Sequence, residues 1–404
     1  MKAFLDLLEK ILTWFFSIAF GIVVVYGLMR YNHHREKATD PWLIAQKANT
    51  LEAYAGFLRQ CQGCPREKDA RRAMDDLQQG QGLISRLSKE HLSDLASITL
   101  PVFSSDGHLI LATSGKGPEF WDAETGRRSD FGGDLLAADK GRVRAETLSM
   151  SPDGHQIGAG TGGDEGGKLY RWDVTGEVKV SEQVVDGYDV KTVMFSPDNN
   201  WLGWRGDGPV GLWNPASQKF FRGNHDGVKA IAFLEGKDGV LYFLTAGDRE
   251  LWVWDTEGLA LIRQGGVDTE RPLLGLSQDG KVVAHSNGRV LEAWDTESRE
   301  LLGELRDLDG TITKFCRNGE NGILIVGTDT GFIYLWDPQG SKLPLARLAA
   351  HEGPIEDLAC GVEGRLVTVG WDGAKVWSLE RLMVAQENEE NSKPASLRRK
   401  DVAN

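Results

Sequence analysis

A tryptophan followed by a turn-forming residue recurs through this chain at a nearly fixed interval. The pairs are Trp121-Asp122, Trp172-Asp173, Trp213-Asn214, Trp254-Asp255, Trp294-Asp295, Trp336-Asp337 and Trp377-Ser378, and their spacings are 51, 41, 41, 40, 42 and 41 residues. A period near 40 means one supersecondary unit repeated seven times, each unable to bury its apolar faces alone. A second marker keeps step with the first. Some 13–18 residues before each Trp stands a tight-turn sequence: Ser105-Asp106-Gly107, Ser151-Pro152-Asp153-Gly154, Ser196-Pro197-Asp198-Asn199-Asn200, Lys237-Asp238-Gly239, Gln278-Asp279-Gly280, Glu320-Asn321-Gly322 and Val362-Glu363-Gly364. Asp-Gly and Asn-Gly tolerate the positive φ of a tight hairpin. Apolar, often β-branched runs such as Val193-Met194-Phe195, Ile231-Ala232-Phe233 and Val282-Val283-Ala284 flank these turns. Each unit therefore reads strand, hairpin, strand, Gly-rich turn, Trp strand, turn, strand.

Four short antiparallel strands bury both faces only when such sheets stack radially, which also leaves short edges. The period, the Ser-Pro-Asp-Gly turn and the terminal Trp-Asp resemble WD40 repeats. The resemblance implies an all-β fold, a seven-bladed propeller over residues 93–382, with Trp121, Trp172, Trp213, Trp254, Trp294, Trp336 and Trp377 as blade-core residues. In the family, a His before the first strand, an Asp before the Trp strand, a Ser or Thr and the Trp form a buried hydrogen-bond network. Two units carry most of that set here: His225, Asp248 and Trp254, and His351, Asp372 and Trp377. The sixth unit keeps Asp329 but has Asp309-Gly310 where the His would stand. Closure is expected from a strand at 93–97 or from the segment after Trp377.

The front of the chain is a different object. After a short flank at residues 1–10, residues 11–29 read ILTWFFSIAFGIVVVYGLM, without a charge, between Lys10 and Arg30. As a helix the run would be about 28 Å long, close to the hydrocarbon thickness of a bilayer. Trp14 near one end and Tyr26 and Tyr31 near the other suit interfaces, and no small-residue cleavage site follows. The expectation is an uncleaved single-pass anchor. Lys2 and Lys10 flank one side, and Arg30, Arg35 and Lys37 the other, which by a narrow margin places the propeller on the cytoplasmic side. Residues 40–92 read as a helical stalk. Asp40-Pro41 starts it; Ile44, Ala48, Leu51, Ala55 and Leu58 line one face; a third segment carries Leu83, Ile84, Leu87, Leu92 and Leu95. The tail, 383–404, reads as disordered.

Charge narrows the partners. The chain carries −13, with +3 on residues 1–92 and none net on 383–404, so the repeat region carries −16. Such a propeller is a poor nucleic-acid binder, because Lys and Arg on phosphates dominate that affinity. Basic or neutral proteins fit better. Of four cysteines, Cys316 and Cys360 fall in strand-like runs and read as small buried hydrophobes. Cys61 and Cys64 suit a plain interhelix loop, a redox disulfide, or half a zinc site.

No pattern points to catalysis. Gly158 to Gly163 matches G-x-G-x-x-G, but the strand Lys168 to Trp172 follows where a dinucleotide site needs a helix. Asp164-Glu165 lacks calcium-loop spacing, and His225-Asp226 and His285-Ser286 sit where blades already explain them. No G-x-S-x-G, H-E-x-x-H or Walker sequence occurs. No enzyme activity, cofactor, metal or small-molecule substrate is expected. What remains is a rigid disc carrying loops. The family resemblance implies contacts at the loops before each inner strand, which by position are Asp186, Tyr188, Asp226, Asp309 and His351. Turns entering the Trp strands add Arg205, Arg249 and Trp371. Trp371, out of phase with the core, is either a partner hot spot or packing between blades. The expected function is a membrane-anchored scaffold for protein partners. The alternatives are an extracytoplasmic ligand-sensing or hydrolytic propeller, marked by titratable residues at the central channel, and a structural subunit of a membrane complex.

Overall fold

A computed structural model of the chain describes residues 40–48, 50–61, 63–87, 99–114, 117–131, 145–162, 166–174, 179–185, 188–224, 227–257 and 260–392. The expected anchor at 11–29 lies outside them. Among the described residues no helix is long and apolar enough to cross a membrane. The chain divides into two units, residues up to Leu77 and residues from Gln78 onward.

The first unit is helical. Helix α1 (Pro41–Ala48) is followed by α2 (Leu51–Gln60), and α3 begins at Glu67 and runs to Gly80. Thr50 caps α2 by accepting from the Ala53 amide. This restart changes the phase of the apolar face. Trp42 and Ala45 are buried with Leu51, Tyr54, Ala55 and Leu58, whereas Ile44 is 53% exposed. Ile44 therefore does not line the inner face that the sequence assigns it. Trp42 packs between Tyr54 and Phe57, with centroids 6.0 and 5.4 Å away. Cys61 and Cys64 are joined as a disulfide, Cα atoms 5.4 Å apart, which selects one of the three readings left open for them.

The second unit holds seven four-stranded antiparallel sheets. Blade 1 is Thr99–Phe103, Leu109–Ser114, Gly117–Asp122 and Arg128–Ser129; blade 2 is Thr147–Met150, Gln156–Gly160, Gly167–Asp173 and Lys179–Val185; blade 3 is Val190–Phe195, Leu202–Gly206, Pro209–Asn214 and Lys219–Asn224. Blade 4 is Ala230–Glu235, Leu241–Ala246, Leu251–Asp255 and Leu261–Gly265; blade 5 is Leu273–Leu276, Val282–Ser286, Leu291–Asp295 and Leu301–Leu305; blade 6 is Ile312–Arg317, Leu324–Thr328, Phe332–Trp336 and Ala346–Ala349. Blade 7 takes three strands from the end of the chain, Asp357–Cys360, Arg365–Gly370 and Gly373–Ser378, and its outermost strand, Leu83–Arg86, from the front. First strands adjoin first strands of neighbouring blades, so they line the axis.

This closure corrects two expectations. Residues 83–86 are a strand rather than part of a third helix, and they, not the segment after Trp377, pair with the last strand of blade 7; residues 93–97, the other expected closing strand, lie outside the described residues. The cause is tertiary: the third strand of blade 7 has an open edge, and Leu83 and Arg86 pair with Trp377 and Lys375 along it. Residues 379–392, expected in part to be disordered, form helix α4 (Leu379–Ser392). Leu379 and Leu382 are buried where α4 lies by the last strand of blade 6.

The turn sequences explain the hairpins. Ser104 donates to Asp106 at 2.6 Å and accepts from the Leu109 amide at 2.9 Å, and Ser151 and Ser277 repeat the arrangement with Asp153 and Asp279. A residue of positive φ follows in every blade: Gly107 at 72° in the first, Asn199 at 61° in the third. The core lies between blades. Phe103, Ile110 and Trp121 of blade 1 pack with Val367, Val369 and Val376 of blade 7, and Val210 and Leu212 of blade 3 pack with Phe233 and Phe243 of blade 4. All seven periodic Trp residues are buried, none more than 9% exposed. A buried Trp removes about 200 Å² from water, worth roughly 5 kcal/mol at most.

Candidate functional site

Strand alternation sorts the loops onto two faces. Connections from second to third strand and from outermost strand to the next inner strand share one face, and the Asp-Gly turns lie on the other. Asp186, His225 and Asp226 belong to the first face by position but lie outside the described residues. The other predicted contacts take different environments.

Trp371 and Asp372 form the two-residue loop between Gly370 and Gly373, which are register partners. One side chain goes in and the other out. Trp371 is 62% exposed, the most exposed of the large apolar side chains among the described residues. Its indole lies over Gly353, where an added Cβ would come within 2.7 Å of the ring. Asp372 turns inward. Its Oδ1 meets His351 Nδ1 at 2.5 Å, and its Oδ2 accepts from Lys375 Nζ at 2.6 Å. His351 Nε2 contacts Thr368 Oγ1 at 2.7 Å, and Trp377 Nε1 donates to the same hydroxyl at 2.8 Å. His351 is 0% exposed, so it supports the loop from beneath and is not a surface contact as its position suggested. Burial lowers the His351 pKa against the pull of Asp372. Burial would raise that of Asp372, but His351 and the Lys375 ammonium outweigh it and hold the carboxyl well below the usual range.

Lys375 enlarges the network beyond the family set. Its side chain is 1% exposed, and Nζ also donates to the Ala350 carbonyl at 2.6 Å. Gln78 Nε2 donates to the Ala349 and Ala350 carbonyls at 3.0 and 3.1 Å, and Arg86 donates to Gln78 Oε1 at 2.7 Å. The closing segment is thus tied to the floor of the Trp371 loop. Only a lysine inside the apolar run Ala374 to Trp377 hinted at this in the sequence.

Asp309 is joined to the same region. Its carboxylate meets Arg347 at 2.5 Å and its carbonyl accepts from Thr330 at 2.7 Å; the next residue, Gly331, lies against the His351 and Gly353 carbonyls. Asp309 and Trp371 therefore stand on adjoining loops of blades 6 and 7. The others belong to blades 3 and 4. Tyr188 is half-buried under the Arg222 guanidinium, 4.8 Å from its centroid. Arg205 is half-buried in its strand and reaches Thr192 and the Val228 carbonyl, so it ties blades 3 and 4. Arg249 is exposed beside Asp248, which takes Lys229 at 2.6 Å. A cluster the sequence did not single out lies beside the inner strand of blade 3: Lys191 Nζ has Glu146 and Asp189 at 3.2 Å and Asp207 at 3.9 Å. Among the described residues, no three donors are grouped to hold a metal.

No family model matches the chain. Guanine nucleotide-exchange factor SEC12 of Rattus norvegicus is 39% identical over 82 residues, 20% of this chain and 19% of that protein. The Mus musculus protein of that name is 40% identical over 82 residues, with the same coverage. Telomerase protein component 1 of Mus musculus is 29% identical over 170 residues, 38% of this chain and 6% of that protein. The chain thus spans under a fifth of the length of each of these three relatives. Periodic Trp residues, turn chemistry and blade order together make this chain a seven-bladed β-propeller whose repeats resemble WD40 units.

Proposed function

We propose that this chain is a membrane-anchored scaffold whose propeller recruits protein partners through the loop face around Trp371. The carrying observation is the pose of that residue: a large indole held outward on a two-residue turn whose other member is locked into a buried network. An aromatic side chain already ordered before binding loses little entropy on contact, which is what a hot spot needs. The acidic repeat region favours partners with basic or neutral surfaces. Residues 11–29 would supply the anchor, and confinement to a membrane raises effective concentration without new contacts.

The test uses a photo-crosslinking residue at exposed Glu356, on the Trp371 face, and at Glu257 on the opposite face. Discrete protein adducts are expected from the first position only. Trp371→Ala should reduce them at least about tenfold. Gly353→Ala, which pushes the indole from its seat, should reduce them partly. Equal adducts from both faces, or none lost in Trp371→Ala, would sink the reading. Deleting residues 1–39 should release the propeller to the soluble fraction.

The similarity to two exchange factors favours a second reading of the partner, a GTP-binding protein whose nucleotide release the propeller speeds. A fluorescent-nucleotide release assay decides it; release unchanged at saturating propeller removes it.

A further inference from the structure

All four cysteines of the chain are paired. Cys61–Cys64 closes a short loop between helices, Cα atoms 5.4 Å apart. Cys316–Cys360 is of another kind. Cys316 lies on the inner strand of blade 6 and Cys360 on that of blade 7, 44 residues apart in sequence and 5.8 Å apart between Cα atoms. Both separations fall within the range a disulfide spans without moving the backbone. Lys314 and Asp357, on the same two strands, approach to 3.7 Å, so the strands meet at two places. Neither bonded cysteine is fully exposed, and no free thiol remains. Cytosolic chains are kept reduced by thiol pools, whereas complete pairing between distant strands is the habit of proteins in oxidising compartments.

We infer that the propeller folds and works in an oxidising compartment, where Cys316–Cys360 staples blade 6 to blade 7. If residues 11–29 span a membrane, the propeller then lies on the side away from the cytosol, opposite to the narrow margin of flanking Lys and Arg. The chemistry is disulfide exchange. The two thiols lose two protons and two electrons and form one S–S bond; an acceptor disulfide takes both and leaves as a dithiol. The staple joins blade 6 to the C-terminal strands of blade 7, the blade that is assembled from both ends of the chain. The inference is independent of the Trp371 reading.

The test is made on the full chain in its own cells. Acid quenching followed by a mass-tagged maleimide should label no cysteine before reduction and four after it. Labelling before reduction at steady state would overturn the proposal. In sealed membranes of known orientation, protease on the non-cytosolic side should digest the propeller; digestion from the cytosolic side only would also overturn it. The double variant Cys316→Ala/Cys360→Ala should melt roughly 5–10 °C lower than the wild type under oxidising conditions. Reductant should lower the wild type by a similar amount and leave that variant almost unmoved. If reductant shifts both alike, Cys316–Cys360 is not the staple. If the variant does not fold, thiol trapping on the wild type still decides.

Discussion

At the residue scale, one position per blade decides whether the periodic Trp finds a threonine on the neighbouring strand. The residue two places beyond its cross-strand neighbour on the second strand is Thr245 in blade 4 and Thr368 in blade 7. There the indoles of Trp254 and Trp377 donate to threonine at 3.0 and 2.8 Å. The same place holds Ala112, Ala159, Trp204, His285 and Val326 in blades 1, 2, 3, 5 and 6. The indole N–H groups of Trp172 and Trp294 are buried without a partner among the described residues. Trp336 instead reaches the Ser341 carbonyl at 2.7 Å. Trp336→Ala should cost about 3–5 kcal/mol by chemical denaturation. Trp371→Ala, though also a tryptophan before an acidic residue, should stay within about 0.5 kcal/mol of wild type. The His351 network gives a pH signature. The unfolded imidazole takes a proton near its ordinary 6.5, whereas the buried one resists, so acidification through that pH favours unfolding. The folded Asp372 carboxyl stays ionised below its ordinary 3.8, so its contribution holds above that pH and is lost as pH falls further. Both act in one direction. The melting temperature should fall from pH 7 to 4, and His351→Gln should flatten the fall between pH 7 and 5.

At the element scale, local signals and tertiary demand compete. The Ser-x-Asp-Gly hairpins were legible because each is satisfied within six residues: the serine caps the turn and the aspartate holds the serine. The strand Leu83–Arg86 was not. Its leucine and isoleucine fit a helical face equally well, and only the open edge of blade 7 chooses a strand. Gly126, with φ 67°, shows how closely that strand is seated: an added Cβ would fall 1.9 Å from the Arg86 carbonyl oxygen. Gly126→Ala should therefore lower stability by about 2–4 kcal/mol, through positive φ and forced separation of blade 1 from the closing strand. A change below about 0.5 kcal/mol on denaturation would refute that seating. The same reasoning covers α4. Its polar, acidic sequence reads as unstructured, but burial of Leu379 and Leu382 anchors its first turn.

At the scale of the whole molecule, the ring is closed by pairing the front of the propeller with its end. Removing residues 1–86 leaves six complete blades and a three-stranded seventh. That variant should unfold at lower denaturant, with a broader transition than the full chain, because blade 7 loses both its outer strand and the Gln78–Arg86 support under Ala349 and Ala350. A transition as steep and as late as wild type would show that closure contributes little. The sequence by itself determined the number of blades, the seven buried tryptophans and the turn in each hairpin, since these repeat with a period and are satisfied by near neighbours in the chain. Tertiary structure alone decided which segment closes the ring, that Cys316 meets Cys360 across a blade boundary, and that Trp371 points outward while His351, predicted for the same face, is sealed beneath it. Each of those depends on residues distant in sequence filling one edge, one gap or one side of a turn, and no local pattern records which of several equally apolar segments will do so.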